Sequence, residues 1–529
     1  MVALSTSVAA ISPRTSGKIR PEVAAVQMPK VQFAAADSGA SLWQKCRLLL
    51  TGVVLSLGGS AHFGWSLSII NPAADVLQSF LRTSLESHLG VALQPWALHV
   101  LWPAVAGLLF IGAFVGGMAA PKVMKICGLN GAFFASSALI CASILMAGAS
   151  EPLFSAELFV LHRLLIGVGI GVITTAQTVY IAEVSPTAYR GLMGTLTGFS
   201  TSIGFVAASG VGLPQVFGQQ TGWWRMFAVE MIPSLILLLS LLLFLQKSPV
   251  RLLKEGKQKE ALRSLELFHS KAEAADRLAQ LEREARGSRT TDRNDSFVSI
   301  WKESKSALCI CLLLNATVSF SGITAAGFFG TLLLRNIGFS DNGAAFANCI
   351  ASFSGLFGNV LGSFTIDKIG RRPLLITCTM LLAALNCALM VLVFVFQYTE
   401  DIRFGYAFFG IFNLFLFVFS LGVGPLAWFL ATELCSLQHR ARIQSLSISC
   451  QYLTCFLSSL IFLPLYHHVG PLSFLIFIVP LCLCTFYLLL FLPETKGRPI
   501  EEIVDDLQRR SLLSKTPMRD EAEEEEAAA

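Results

Sequence analysis

KSPVRLLKEGKQKEALRSLELFHSKAEAADRLAQLEREARGSRTTDRNDSFVSIWKESK, running from Lys247 to Lys305, is the stretch on which the fold turns. It is crowded with Lys, Arg, Glu and Asp in a chain that is otherwise apolar, and six apolar runs can be marked on either side of it. The polar block therefore reads as the join between two halves. If the halves are related copies, they make a bundle of six plus six membrane helices with the join in water at one face.

The composition supports a membrane solvent. Of 529 residues, 54% are hydrophobic and only 14% charged, and the mean hydropathy is +0.65. A soluble chain would carry about a quarter charged residues, so a bilayer is where this surface is stable. The net charge of +5 does not point to nucleic acid, because no basic patch is interleaved with aromatics. The thirteen cysteines lie almost wholly in or beside apolar runs and read as small thiol-form packers, so neither a metal site nor any cofactor is expected.

Twelve runs of about 20 residues are each long enough to cross the hydrocarbon. They begin near Leu48, Ala97, Leu129, Phe154, Gly191, Arg225, Ala307, Gly343, Pro373, Arg403, Ile443 and Pro471. Residues 1–42 read as a disordered tail, 43–246 as the first six-helix bundle and 247–306 as a linker of short amphipathic helices. Residues 307–492 then form the second bundle and 493–529 an acidic tail. Lys122, Lys125, Arg190, the central block, Lys368, Arg371, Arg372, Arg440, Arg442, Lys496 and Arg498 all fall on one side. The positive-inside rule makes that side, and with it both termini, cytoplasmic. The longest exterior loop is Pro72 to Pro95.

Duplication shows at the span ends. After the fourth span stands Glu183-Val-Ser-Pro-Thr-Ala-Tyr-Arg190, and after the tenth Glu433-Leu-Cys-Ser-Leu-Gln-His-Arg440, each Glu and Arg seven apart. Anchoring by basic residues explains Lys and Arg at such places, yet acids contribute little to topology. The paired spacing favours an ion-pair latch of Glu183, Arg190, Asp367, Arg371, Arg372, Glu433 and Arg440 that holds the halves together on the cytoplasmic side.

Several motifs in order carry a family likeness: Phe63-Gly64-Trp65, His162-Arg163, Glu183-Val-Ser-Pro-x-x-x-Arg190-Gly191, Asp367-x-x-Gly370-Arg371-Arg372, Gly422-x-Gly424-Pro425-x-x-Trp428, and Pro493-Glu-Thr-Lys-Gly497-Arg498. From about residue 48 to 500 the chain resembles the sugar porter branch of the major facilitator superfamily, and within it the animal facilitative glucose transporters. The resemblance implies an all-α membrane protein of the major facilitator fold, with twelve transmembrane helices in two bundles that alternate a midplane site between faces. It also implies uniport of hexoses, usually at the plasma membrane, and an ion-pair or site-shaping role for Arg163. Relatives that couple sugar to protons carry an Asp in the first span where this chain has Ser66. The usual sugar-binding amides of spans five, seven and eight are answered here by Gly198, Val318, Ser319, Thr324 and Gly355, and a familiar Glu of span ten by Ser420.

A sugar needs hydroxyl and amide partners beside an aromatic plate. Gln177, Ser319, Thr324, Asn348, Asn413 and Gln451, with Trp428 as the plate, are therefore the candidate substrate contacts, although isolated Ser and Thr in spans most often bond the backbone. Gly422, Gly424 and Pro425 weaken the tenth helix and mark a hinge. A carrier of a sugar or similar polyol is the leading expectation; a carrier of an organic anion and a non-transporting sensor stay open. No nucleophile–base set or phosphate loop suggests an enzyme. The sequence leaves the oligomeric state open.

Overall fold

The computed structural model describes residues 41–90, 92, 94–186, 189–219, 221–243, 245–289, 297–435, 437–498 and 502–507, and these contain helices and turns without a strand. From Ala40 onward the chain forms one compact unit. A bilayer offers backbone groups no hydrogen bonds, so a helix, which satisfies them internally, is what each apolar run must become.

Among the described residues, ten helical stretches are long and apolar enough to cross a membrane. Leu42–Ser68 is the first span, Val100–Ser150 the second and third, and Ala156–Val184, Gly191–Val211 and Trp224–Leu243 the fourth to sixth. After the linker come Ser304–Asn336, Asp341–Ile366, Arg371–Thr399 and Ile402–Leu434, then His439–Phe491 as the eleventh and twelfth. The two longest stretches each reverse. Gly112 lies against Leu164 and Ile140 against Gly169, whereas a straight helix would set positions 112 and 140 about 42 Å apart. The turn is Gly128, at φ 75° and ψ 176°, a conformation open to glycine. Likewise Ser319 bonds the Gln451 carbonyl while Gly322 faces Phe477, with the 3-10 turn Gly470–Phe474 between the two helices. The chain thus crosses twelve times, six on each side of the linker, as the sequence implies.

The first helix starts at Leu42, six residues before the apolar run. Ser41 and Gln44 cap it reciprocally, the Gln44 amide N–H donating to Ser41 Oγ and Ser41 N–H to Gln44 Oε1. The loop expected over residues 72–95 holds a further helix, Ala74–Leu89, whose Phe80 packs on Trp223 at 5.1 Å. Close helix crossings rest on bare backbone: a Cβ on Gly64 would lie 2.0 Å from Thr201 O, and one on Gly167 2.1 Å from Leu109 O. Large apolar side chains such as Leu242, Phe357, Leu483 and Phe486 point outward, the surface a lipid solvent requires.

In the linker, Pro249–Lys254, Gln258–Glu266 and Lys271–Arg289 are helical and enclose a small core of Leu252, Ala261, Leu265, Ala274, Leu278 and Leu281. Phe268 instead joins the core of the main bundle. Gln44 of the first span donates to the carbonyls of Glu266 and His269, both at 2.7 Å, and moors the linker to the bundle. Of the expected tails, 1–42 and 493–529, residues 1–40, 499–501 and 508–529 lie outside the described residues, whereas Leu42 already opens the first helix and residues 502–507 are helical.

Candidate functional site

A cavity lies between the two halves. The first half supplies Ser68 from span one and Gly198, Thr201, Ser202 and Phe205 from span five. From the second half, span seven supplies Ile323, Ala326 and Gly327, and span eight Asn348, Ser352, Gly355 and Asn359. Span ten completes the wall with Leu416, Phe419, Ser420, Gly424, Pro425 and Trp428. None of these described lining residues carries a charge. The wall is uncharged and largely apolar, with hydroxyl and amide groups set among rings and aliphatic side chains, which suits an uncharged ligand with both polar and apolar faces.

Three helices at this cavity are interrupted. Span one breaks between Leu42–Leu57 and Ser60–Ser68, span seven has a π turn at Ser319–Ile323, and span ten has one at Phe419–Val423. The expected hinge of Gly422, Gly424 and Pro425 falls at this last turn, with Pro425 in the first turn of the helix Gly424–Leu434, where its missing N–H costs nothing. The break in span seven carries no proline; Gly322, at φ 99°, makes it.

The halves touch on both sides of the cavity. On the face away from the linker, Arg335 pairs with Asp75 at 2.9 Å, and Asn71 Oδ1 accepts from Thr331 N–H at 3.3 Å. Toward the linker face, Ser445 Oγ donates to Gly117 O at 2.6 Å, Thr174 meets Tyr452 at 3.0 Å, and the Phe429 ring covers Gly194. Within the wall Trp428 sets its ring edge-on to Phe63, centroids 5.5 Å apart. The two halves thus touch on both sides of the cavity.

Of the expected substrate contacts, the structure places Asn348 and Trp428 on the wall. Gln177 is spent elsewhere. Its Nε2 donates to Ser56, Ser60 and Thr197 hydroxyls and its Oε1 accepts from Ser60 N–H, filling the notch at Gly59. Ser319 bonds Gln451 O and Cys455, and Thr324 also faces Cys455, so both point at span eleven and leave the apolar side of span seven to the cavity. Gln451 is buried off the wall. Asn413 donates to Phe409 O in its own helix.

The acid–base set resolves into separate clusters. Glu433 accepts from Arg371 at 3.3 Å and from Thr495 at 2.7 Å, and Glu494 accepts from the backbone N–H groups of Arg371 and Arg372. Arg372 reaches Leu489 O. These contacts fasten spans nine, ten and twelve within the second half. Glu183 accepts from Ser248, which follows the sixth span and caps the linker helix Pro249–Lys254. The side chains of Arg190 and Asp367 lie outside the described residues. Arg163 is not at the rim: fully buried, it donates to Ser66 O and Ala106 O, both at 2.9 Å, and ties spans one, two and four.

The acid absent from span one is found on span six. Ser66 Oγ donates to Glu230 at 2.7 Å, and His62 Nδ1 lies 3.4 Å from the same oxygen while its Nε2 meets Ser234 Oγ at 2.8 Å. The sequence concealed this because the carboxylate and the serine lie 164 residues apart. Ser202, Thr201, Ser352 and Asn359 were missed as well, yet a signal existed: Asn348, Ser352, Gly355 and Asn359 recur at four- and three-residue steps on one helix face.

Comparison with known proteins agrees with this architecture. A family model described as sugar (and other) transporter matches residues 51–507. Facilitated glucose transporter protein 1 of Caenorhabditis elegans is 24% identical over 474 residues, 88% of this chain and 91% of that protein. Plastidic glucose transporter 4 of Arabidopsis thaliana is 30% identical over 452 residues, 84% of this chain and 78% of that protein. The solved proton:xylose symporter XylE of the major facilitator superfamily, bound to 6-bromo-6-deoxy-D-glucose, superposes with a TM-score of 0.75 at 21% identity, covering 87% of this chain and 99% of its own. An integral, multi-pass helical bundle of the major facilitator fold, with an uncharged cavity between its halves, this chain belongs to the sugar (and other) transporter family.

Proposed function

We propose that the chain is a facilitative carrier of a hexose or similar sugar, in the plasma membrane, with the linker face and both termini in the cytoplasm. The halves 43–246 and 307–492 swing about the cavity. The observation that carries the reading is the cavity itself, whose hydroxyls, amides and Trp428 ring suit a sugar's hydroxyls and ring face. An organic anion would need a cation there, and none of the described lining residues is one.

In the closed state the contacts of Asp75 with Arg335 and of Ser445 with Gly117 hold opposite ends. Releasing one set while keeping the other opens the cavity to one side at a time. A bound sugar adds hydrogen bonds to both halves and so favours the closed state through which either opening must pass. The interrupted helices one, seven and ten are where the backbone can flex with least loss of bonding.

A second reading, proton coupling, is favoured by one observation: Glu230 is buried, bonded to Ser66, and its Oε2 has no partner among the described atoms. Uptake of labelled sugars, polyols and organic anions into proteoliposomes, with and without a proton gradient, separates the readings. Equilibration of a sugar at a rate indifferent to the gradient is expected. Gradient-driven accumulation that Glu230→Gln abolishes would establish coupling, and no flux of any solute would leave a sensor on the same fold.

A further inference from the structure

We infer that Asn359 is a specificity-determining residue whose Oδ1 accepts a hydrogen bond from one hydroxyl of the bound sugar, while its Nδ2 holds Ser202 of the opposite half. The inference deepens the sugar-carrier reading and rests on it. Asn359 is buried, 3% exposed, and lines the cavity on span eight. Its Nδ2 donates across the interface to Ser202 Oγ on span five. Its Oδ1 is buried and has no partner among the described atoms, the one such atom found on the described cavity wall. An amide oxygen left unbonded in a dry site is costly, and a ligand hydroxyl removes that cost.

The opposite wall packs directly on this atom. A Cβ on Gly198 would sit 2.9 Å from Asn359 Oδ1 and 3.0 Å from Pro425 Cγ, so only glycine fits beside the oxygen without displacing it. The neighbouring polar group on the same helix face is committed: Ser352 Oγ donates to Asn348 O and meets Ser209 at 3.1 Å. The free group is an acceptor, so it selects ligands that bring an O–H donor and disfavours a carboxylate, which has none to give. Accepting from the sugar polarises the amide and strengthens its N–H bond to Ser202, so occupancy reinforces the link between the halves.

The test is competition by monodeoxy analogues against uptake of the labelled parent sugar in proteoliposomes containing the full chain. In the wild type, one analogue, lacking the hydroxyl that Oδ1 accepts, should compete about tenfold or more worse than the parent. In Asn359→Leu the parent should fall to that analogue's level and this ratio collapse to about one, with the ratios of the other analogues unchanged. Gly198→Ala supplies the same test without touching the amide's chemistry, because the added methyl displaces Oδ1; it serves alone if Asn359→Leu does not fold. Ser202→Ala should weaken uptake yet keep the discrimination. Unaltered ratios for every analogue in both Asn359→Leu and Gly198→Ala would overturn the assignment while leaving the carrier reading intact. If no sugar competes in the wild type, both fall together.

Discussion

Replacing Arg371 with Met should destabilise the second half far more than any exposed ion pair could. Arg371 and Glu433 meet at 3.3 Å with side chains only 9% and 8% exposed. Removing the cation leaves a buried carboxylate whose remaining described hydrogen bond is from Thr495, at 2.7 Å. Breaking one side of a buried pair costs about 3–5 kcal/mol, while a hydrogen bond to a charged group retains about 1.5–3 kcal/mol. Because the Thr495 bond persists in the variant and keeps the carboxylate partly satisfied, Arg371→Met should lose an amount at the lower end of the first range, about 3 kcal/mol. Adding Glu433→Gln removes the stranded charge and still lets Thr495 donate to an amide oxygen, so the double variant should regain most of that loss. Thermal unfolding of the four proteins in one detergent, followed by tryptophan fluorescence, closes the double-mutant cycle. A double variant as unstable as the sum of its parents would refute the reasoning, because the pair would then contribute nothing through its mutual charge.

Neutralising Asp75, which is 71% exposed against Arg335, should change transport rates less than about fivefold, the range of an exposed pair, as read by initial uptake rates. Gly167→Ala should lower the folded yield sharply, since its methyl meets Leu109 O at 2.1 Å, whereas Gly210→Ala, with open space around it, should leave yield unchanged or improve helix stability by about 1 kcal/mol; size-exclusion profiles compare them. Gln44→Leu removes both mooring bonds to Glu266 and His269, and hydrogen exchange over residues 258–269 should speed up while the spans stay protected.

The architecture was legible because a bilayer constrains sequence so strongly. Apolar length marks each crossing, and the charged block from Lys247 marks the join. What failed was the step from a polar residue in a span to the direction it faces. Gln177 and Ser319 were expected in the cavity, yet one fills a glycine notch in span one and the other bonds span eleven. Burial in a membrane protein has two destinations, packing interface and cavity, and residue type alone does not tell them apart. The helical step did carry that information for span eight, where Asn348 through Asn359 form one stripe. The Glu and Arg at matched spacing were read as partners in one latch, but which groups meet depends on long-range contacts: Glu433 accepts from Arg371 and Thr495, and Glu183 from Ser248.

The central claim is that two halves move oppositely about one cavity, and distances between spin labels test it most directly. Labels at Arg82 and Arg403 report the face away from the linker, and labels at Lys122 and Lys368 the linker face, with the exposed Cys46, Cys127, Cys387 and Cys482 replaced beforehand. The account predicts that conditions lengthening one distance leave the other short, and that bound sugar enriches the population short at both. Distances that lengthen together, or that do not respond to sugar at all, would contradict it.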